Sequence, residues 1–129
     1  MSILNPDERL PDNVEIHDRF KKDFALLDGR QKRIVAKAII KIASAPGEYG
    51  EPLGNQHDRI LVNFRSAYLD RKNLRLVWMV TPQDTLELML VVAVGKRTRL
   101  RVYETVNSRR DELLRWEKAL LEDKRRNRK

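Results

Sequence analysis

The chain has 129 residues, 41% of them hydrophobic and 36% charged, with no cysteine. That length carries one apolar core and not two, and the missing thiols exclude disulfides and cysteine-ligated metal centres and point to the reducing cytoplasm. The net charge of +8 is lopsided: residues 1–95 hold 14 basic against 13 acidic side chains and residues 96–129 hold 13 against 6, an excess that addresses a polyanion, nucleic acid before an acidic protein or an anionic membrane.

In chain order, residues 1–12 read as a loosely attached arm interrupted by Pro6 and Pro11. They have no cleavage-type pattern, and no stretch of the chain is apolar for long enough to cross a bilayer, so a soluble, non-secreted protein is expected. A short β-like stretch, Val14-Glu15-Ile16, leads into HDRFKKDFALL, where Phe20, Phe24 and Leu27 recur at helical spacing. Asp28-Gly29 ends that helix. A second follows in RQKRIVAKAIIKIASAP, with Ile34, Val35, Ala38, Ile39 and Ile42 on one stripe and Lys32, Arg33, Lys37 and Lys41 opposite, ending before Pro46-Gly47.

The segment GEYGEPLGNQHD reads as a glycine-rich connector to three strands. Ile60 to Arg65 alternates, placing Ile60, Val62 and Phe64 on the core face and Leu61, Asn63 and Arg65 behind it. Leu74, Leu76, Trp78 and Val80 form the core face of the next, with Arg75, Val77 and Met79 behind, and Leu86, Leu88, Leu90, Val92 and Val94 point inward from the third. The links SAYLDRKN and TPQDT suit hairpins, which makes the sheet an antiparallel meander. Ser108-Arg-Arg-Asp111 has the form of a capping box opening a last helix, with Leu113, Trp116 and Leu120 packing along one stripe. The expected fold is α+β in a single domain, residues 1–129: an antiparallel sheet of about four strands, two N-terminal helices on its apolar face, a C-terminal helix, and a basic, solvated tail at 122–129.

On this scheme Arg65 and Arg75 leave the sheet on one polar face. Beyond them, VVAVGKRTRLRVY sets Lys96, Arg97, Arg99 and Arg101 within six residues of one another after Gly95, and ends on Tyr103. Glycine permits a sharp exit that swings Lys96 and Arg97 onto the same surface. Guanidinium groups grip phosphate in a fork, and a tyrosine ring stacks on a base or bonds a phosphate oxygen. His17 and His57 stand 40 positions apart and read as surface residues rather than metal ligands. No dinucleotide fingerprint, Walker loop or Ser-His-acid arrangement is present. An enzyme built this way needs no metal or cofactor; it clamps charge around a substrate that brings its own nucleophile, as RNA does with its 2′-hydroxyl.

From about Val14 to Arg110 the sequence resembles the RelE/ParE superfamily of toxins from type II toxin–antitoxin systems, and within it the RelE-like mRNA endonucleases. The likeness is carried by FKKDFALLDGRQKRIVAKAIIKI as a helical hairpin, GEPLGN as its exit, LRLVWMV as a central strand, and above all VVAVGKRTRLRVY as the last strand and its corner. The resemblance implies a curved antiparallel sheet cradled by helices and cleavage of mRNA in the ribosomal A site, leaving a 2′,3′-cyclic phosphate and a 5′-hydroxyl. It implies a cognate antitoxin protein, the ribosome and mRNA as partners, and neither membrane nor metal. Carried over residue by residue, Arg75 and Arg97 match the arginines at the scissile phosphate and Tyr103 the tyrosine that orients the nucleophile, giving three candidate catalytic residues. Arg65, Lys96, Arg99 and Asn63 are the candidate substrate-binding residues. Two active-site lysines of the family fall on Leu61 and Asn63 here, and arginine keeps its proton at ordinary pH, so the general base is unassigned. A non-catalytic toxin on the same fold, such as a ParE-like DNA gyrase inhibitor, and an inactive relative that binds RNA or an antitoxin stand as alternatives.

Overall fold

A computed structural model describes residues 10–56, 59–83, 86–98 and 102–126, with the side chains of 55–62, 83, 102 and 103 outside that description. Its elements are β1 (Val14–Ile16), α1 (Asp18–Ala25), α2 (Gly29–Ala43), β2 (Glu51–Gln56), β3 (Arg59–Leu69), β4 (Leu74–Gln83), β5 (Leu86–Lys96) and α3 (Val102–Arg126). The fold is α+β, as expected, but the sheet has five strands in the order β1-β5-β4-β3-β2 and is mixed. The β2–β5 strands pair antiparallel in turn, whereas β1 lies parallel to β5 with Val14 beside Met89. The extra strand β2 comes from the segment read as connector. Pro52 and Gly54 disguise it, because both are poor strand formers and belong at edges, where β2 sits and where its pairing with β3 is irregular between those two residues.

The two N-terminal helices form where the apolar spacing places them, and each has a side-chain cap. His17 accepts from the backbone N–H of Arg19, and Asp28 from that of Gln31, occupying amide donors that have no partner inside the helix. His17 is therefore not the surface residue its sequence context suggests; it is buried, with its ring edge-on to Trp116 at 4.8 Å between centroids. His57 lies outside the described residues.

Two cores result. Phe20, Phe24, Val35 and Ile39 of α1 and α2 pack on Leu74, Leu76, Trp78, Met89 and Val91. On the opposite side, Val77, Met79, Leu88, Leu90 and Val92 meet Val106 and Leu113 of α3, with Trp116, Leu120 and Leu121 at the margin. The alternation expected for β4 holds. That expected for β5 does not, since the strand is buried on both faces and its register against β4 shifts: Val77 pairs with Ala93 but Trp78 with Val91, leaving Val92 as the extra residue of a bulge. The last helix also starts earlier than expected. It opens at Val102, and the Ser108 hydroxyl donates back to the Thr105 carbonyl from inside the helix instead of capping it. No described helix is long and apolar enough to cross a membrane.

The turn before β2 closes over the first core. The indole N–H of Trp78 donates to the Pro46 carbonyl at 3.0 Å, and Gly50 holds a left-handed backbone (φ +67°) tight against Ser66 and the Trp78 ring.

Candidate nucleic-acid interface

Arg75 projects from β4 toward the α3 side, opposite Tyr68 of β3 and Gly95 of β5. Its guanidinium lies 5.1 Å above the Tyr68 ring centre, and its Nε and Nη2 both donate to the Ser66 hydroxyl at 3.2 and 3.1 Å. Stacking and a forked bond fix the plane of the cation before any ligand arrives. Gly95, its partner on β5, adds no side chain beside Arg75.

Arg97 follows β5 directly and is exposed. Its backbone N–H donates to the Asn73 carbonyl at 2.9 Å, tying the corner after β5 to the turn between β3 and β4. Lys96 pairs with Leu74 and is also exposed. Arg75, Lys96 and Arg97 are thus gathered at one end of the sheet.

Arg65 does not join them. It pairs with Trp78, so it emerges on the α1–α2 side of the sheet, and it donates from Nε to the Tyr49 carbonyl at 2.8 Å and from Nη2 to the Gly50 carbonyl at 3.1 Å. The expectation that Arg65 and Arg75 share a face is overturned by this register, which puts Phe64 rather than Arg65 on the face of Val77 and Met79. Asn63 is exposed with a left-handed backbone (φ 74°) at the irregular stretch of the β2–β3 pairing. Tyr103 belongs to the first turn of α3, its side chain outside the description, and Arg99 lies outside the described residues altogether.

The turn between β3 and β4 holds what the sequence pattern did not disclose. Asp70, Arg71 and Lys72 all have positive φ (52°, 55° and 70°), a run that non-glycine residues rarely adopt. Asp70 anchors the run by a two-pronged pair with Arg30 of α2 at 2.8 and 2.9 Å and by a longer bond from the Gln31 side chain. Hydrogen bonding from Arg30 holds the Asp70 carboxyl below its ordinary value and raises that of the guanidinium. Nothing in the spacing of Arg30 and Asp70, 40 positions apart, announces the pair. The turn, the start of α2 and the corner after β5 enclose a cleft of about 370 Å³ that includes Arg30, Arg71, Lys72, Lys96 and Arg97.

Neither a protein-family model nor a curated protein sequence matches the chain. A solved structure does: the isolated Escherichia coli RelE toxin, at 21% identity and a TM-score of 0.54, over 74% of this chain and 95% of that one. At this identity the likeness is one of architecture, and the chain has a RelE-like fold.

Proposed function

We propose that this chain is a toxin of a type II toxin–antitoxin system that acts in the cytoplasm, docks on the ribosome and cleaves mRNA in the A site. A cognate antitoxin protein would silence it. The observation that carries this reading is a pre-aligned Arg75 on β4 and an exposed Arg97 just after β5 at the same end of the sheet, with Gly95 paired to Arg75. A toxin with the same architecture, from Escherichia coli, lends it support.

In the proposed reaction the RNA 2′-oxygen attacks the adjacent phosphorus and the bond to the 5′-oxygen breaks, yielding a 2′,3′-cyclic phosphate and a 5′-hydroxyl. Negative charge builds on the non-bridging oxygens as phosphorus becomes five-coordinate. Arg75 and Arg97 would offer forked N–H donors there without changing protonation state, which is electrostatic stabilisation and not proton transfer. Tyr103 would orient the nucleophile, a role that rests on the sequence resemblance. Arg65, which emerges on the opposite face of the sheet beside Tyr49 and Gly50, is left out of the reacting group and assigned to the scaffold.

Primer extension on mRNA from a purified translation reaction tests this. Discrete breaks within codons, lost in Arg97→Ala and in Tyr103→Phe, are the expected result; intact mRNA with translation still arrested would refute cleavage. A second reading, a non-catalytic binder on the same fold, is favoured by Asn63, whose amide cannot take up a proton where the family carries a lysine. Intact mRNA together with inhibited DNA gyrase would select it.

A further inference from the structure

We propose that the cleft between the β3–β4 turn, the first turn of α2 and the corner after β5 is a second phosphate site, which receives an RNA phosphate next to the one held by Arg75. The inference takes RNA as the ligand from the proposed function, but its test does not depend on cleavage.

Three observations carry it. Charge comes first: among the described residues the cleft is lined by Arg30, Arg71, Lys72, Lys96 and Arg97 and by one carboxylate, Asp70. That carboxylate is already engaged by Arg30 and Gln31 and its side chain is only 6% exposed, whereas the Arg30 side chain is 60% exposed and keeps an outward edge. The cleft therefore presents an unbalanced cationic surface. Like charges gathered in a cleft raise the local potential and attract an anion.

Backbone conformation comes second. Arg71 and Lys72 hold left-handed φ values that glycine would adopt without cost, yet the chain places two long cations there. The turn is closed by a bond from the Asn73 N–H to the Asp70 carbonyl at 2.9 Å, and the Asp70–Arg30 pair clamps it to α2. Strain retained in this way, at the rim of an open cleft and on charged residues, points to a ligand contact. Solvent exposure alone would have been met by Asn or Gly.

Placement comes third. Arg97 borders the cleft and lies two residues beyond Gly95, the β5 partner of Arg75, and its N–H is bonded to Asn73 of the same turn. Arg75 projects on the α3 side of the sheet and Arg30 stands on the α2 side, so a strand gripped at Arg75 would reach the cleft by passing Arg97 around the end of the sheet. Arg97 would bridge two consecutive phosphates.

The test is fluorescence anisotropy with a short, end-labelled single-stranded RNA across a salt titration. Removing Arg71 and Lys72 together as alanine should weaken binding about tenfold and lower the slope of log K against log salt by about 0.7, the loss of one phosphate contact. Replacing both by glycine should weaken binding equally while leaving the thermal midpoint unchanged or higher, since glycine relieves the left-handed strain. Arg33→Ala with Lys37→Ala, exposed on α2, removes the same charge elsewhere and should have a much smaller effect. Wild-type affinity and slope in the Arg71/Lys72 variants, or an equal loss in the α2 control, would overturn the site. Binding of inorganic pyrophosphate that depends on Arg71 and Lys72, with RNA binding that does not, would identify a small phosphate ligand and overturn the RNA assignment. A wild-type protein that shows these dependences yet cuts no mRNA sinks the nuclease reading and leaves the site standing.

Discussion

Asp23 on α1 and Arg109 on α3 meet across the open edge of β5 and complete it. One guanidinium nitrogen of Arg109 donates to the Asp23 carboxylate at 3.0 Å and to the Val92 carbonyl at 2.8 Å, the other donates to Asp23 at 3.2 Å, and Asp23 accepts from the Val94 N–H at 3.3 Å. The parallel strand β1 accompanies β5 only as far as Val91. Beyond that point the pair stands in for the missing neighbour strand, satisfying backbone groups that would otherwise lie open at a sheet edge.

Arg109→Ala should therefore cost more than a surface ion pair. The two side chains are 14% and 19% exposed, so the loss should be about 2 kcal/mol, less than a fully buried pair forfeits but well above the exposed median. Asp23→Asn combined with Arg109→Gln should lose less than the sum of the single changes, read as a coupling energy from urea denaturation. Additive losses would mean that the pair does not act as one unit.

Two glycines with left-handed backbones should respond differently to alanine. At Gly50 (φ +67°) an added Cβ would stand 2.3 Å from the Ser66 carbonyl oxygen and 2.8 Å from the Trp78 ring, whereas at Gly54 (φ +63°) it would meet nothing. Gly54→Ala should cost about 1 kcal/mol, the conformational penalty alone. Gly50→Ala should cost roughly 3 kcal/mol or more, because backbone cannot yield to it. Thermal unfolding of the two variants side by side checks the ranking.

Under the proposed reaction, Arg75→Ala should slow mRNA cleavage roughly a hundredfold or more, the range for one pre-aligned donor to a developing anion. Arg75→Lys should recover little of it. A lysine keeps the charge but has no planar fork to lay on Tyr68 while bonding Ser66. Cleavage rates measured at matched folded fraction test the point, and full recovery in the lysine variant would show that charge alone suffices.

His17 should make stability depend on pH just below neutrality. Burial lowers its pKa from 6.5, opposed by the nearby Glu112 and Asp18 carboxylates and reinforced by Arg109 and Arg19. The unfolded chain therefore takes up the proton first as pH falls, so stability is full above pH 6.5 and declines from there until the folded pKa is passed. His17→Asn keeps an acceptor at the cap and should abolish this decline. The lowered pKa of Glu112, held down by the hydrogen bond from Arg19, acts in a separate window: stability present above 4.5 is lost at more acid pH in both proteins. Urea midpoints on either side of 6.5 for wild type and variant distinguish the two.

What the sequence disclosed follows from where polar residues interrupt apolar ones. Arg75 among Leu74, Leu76 and Trp78 marks the faces of β4, and the helical stripe of Phe20 and Phe24 marks α1, so both were readable. In β5 the residues between Leu88, Leu90 and Val92 are Met89 and Val91, apolar because α3 covers one face while α1 and α2 cover the other; an alternation of apolar with apolar hides both the second core and the bulge. Arg65 was misplaced for a different reason. Its own strand alternates, but only the pairing with Trp78 decides which side its guanidinium takes, and pairing is a tertiary fact. The cationic corner at Lys96 and Arg97 was visible as composition. The Arg30–Asp70 clamp that shapes the ground beside it joins distant segments, and no local pattern encodes it.

A sheet greased on both sides cannot be undressed by charge alone. The underside formed by Val77, Met79, Leu88 and Leu90 is dry only while α3 lies across it, so any molecule that lifts this helix must offer an oily substitute in the same stroke.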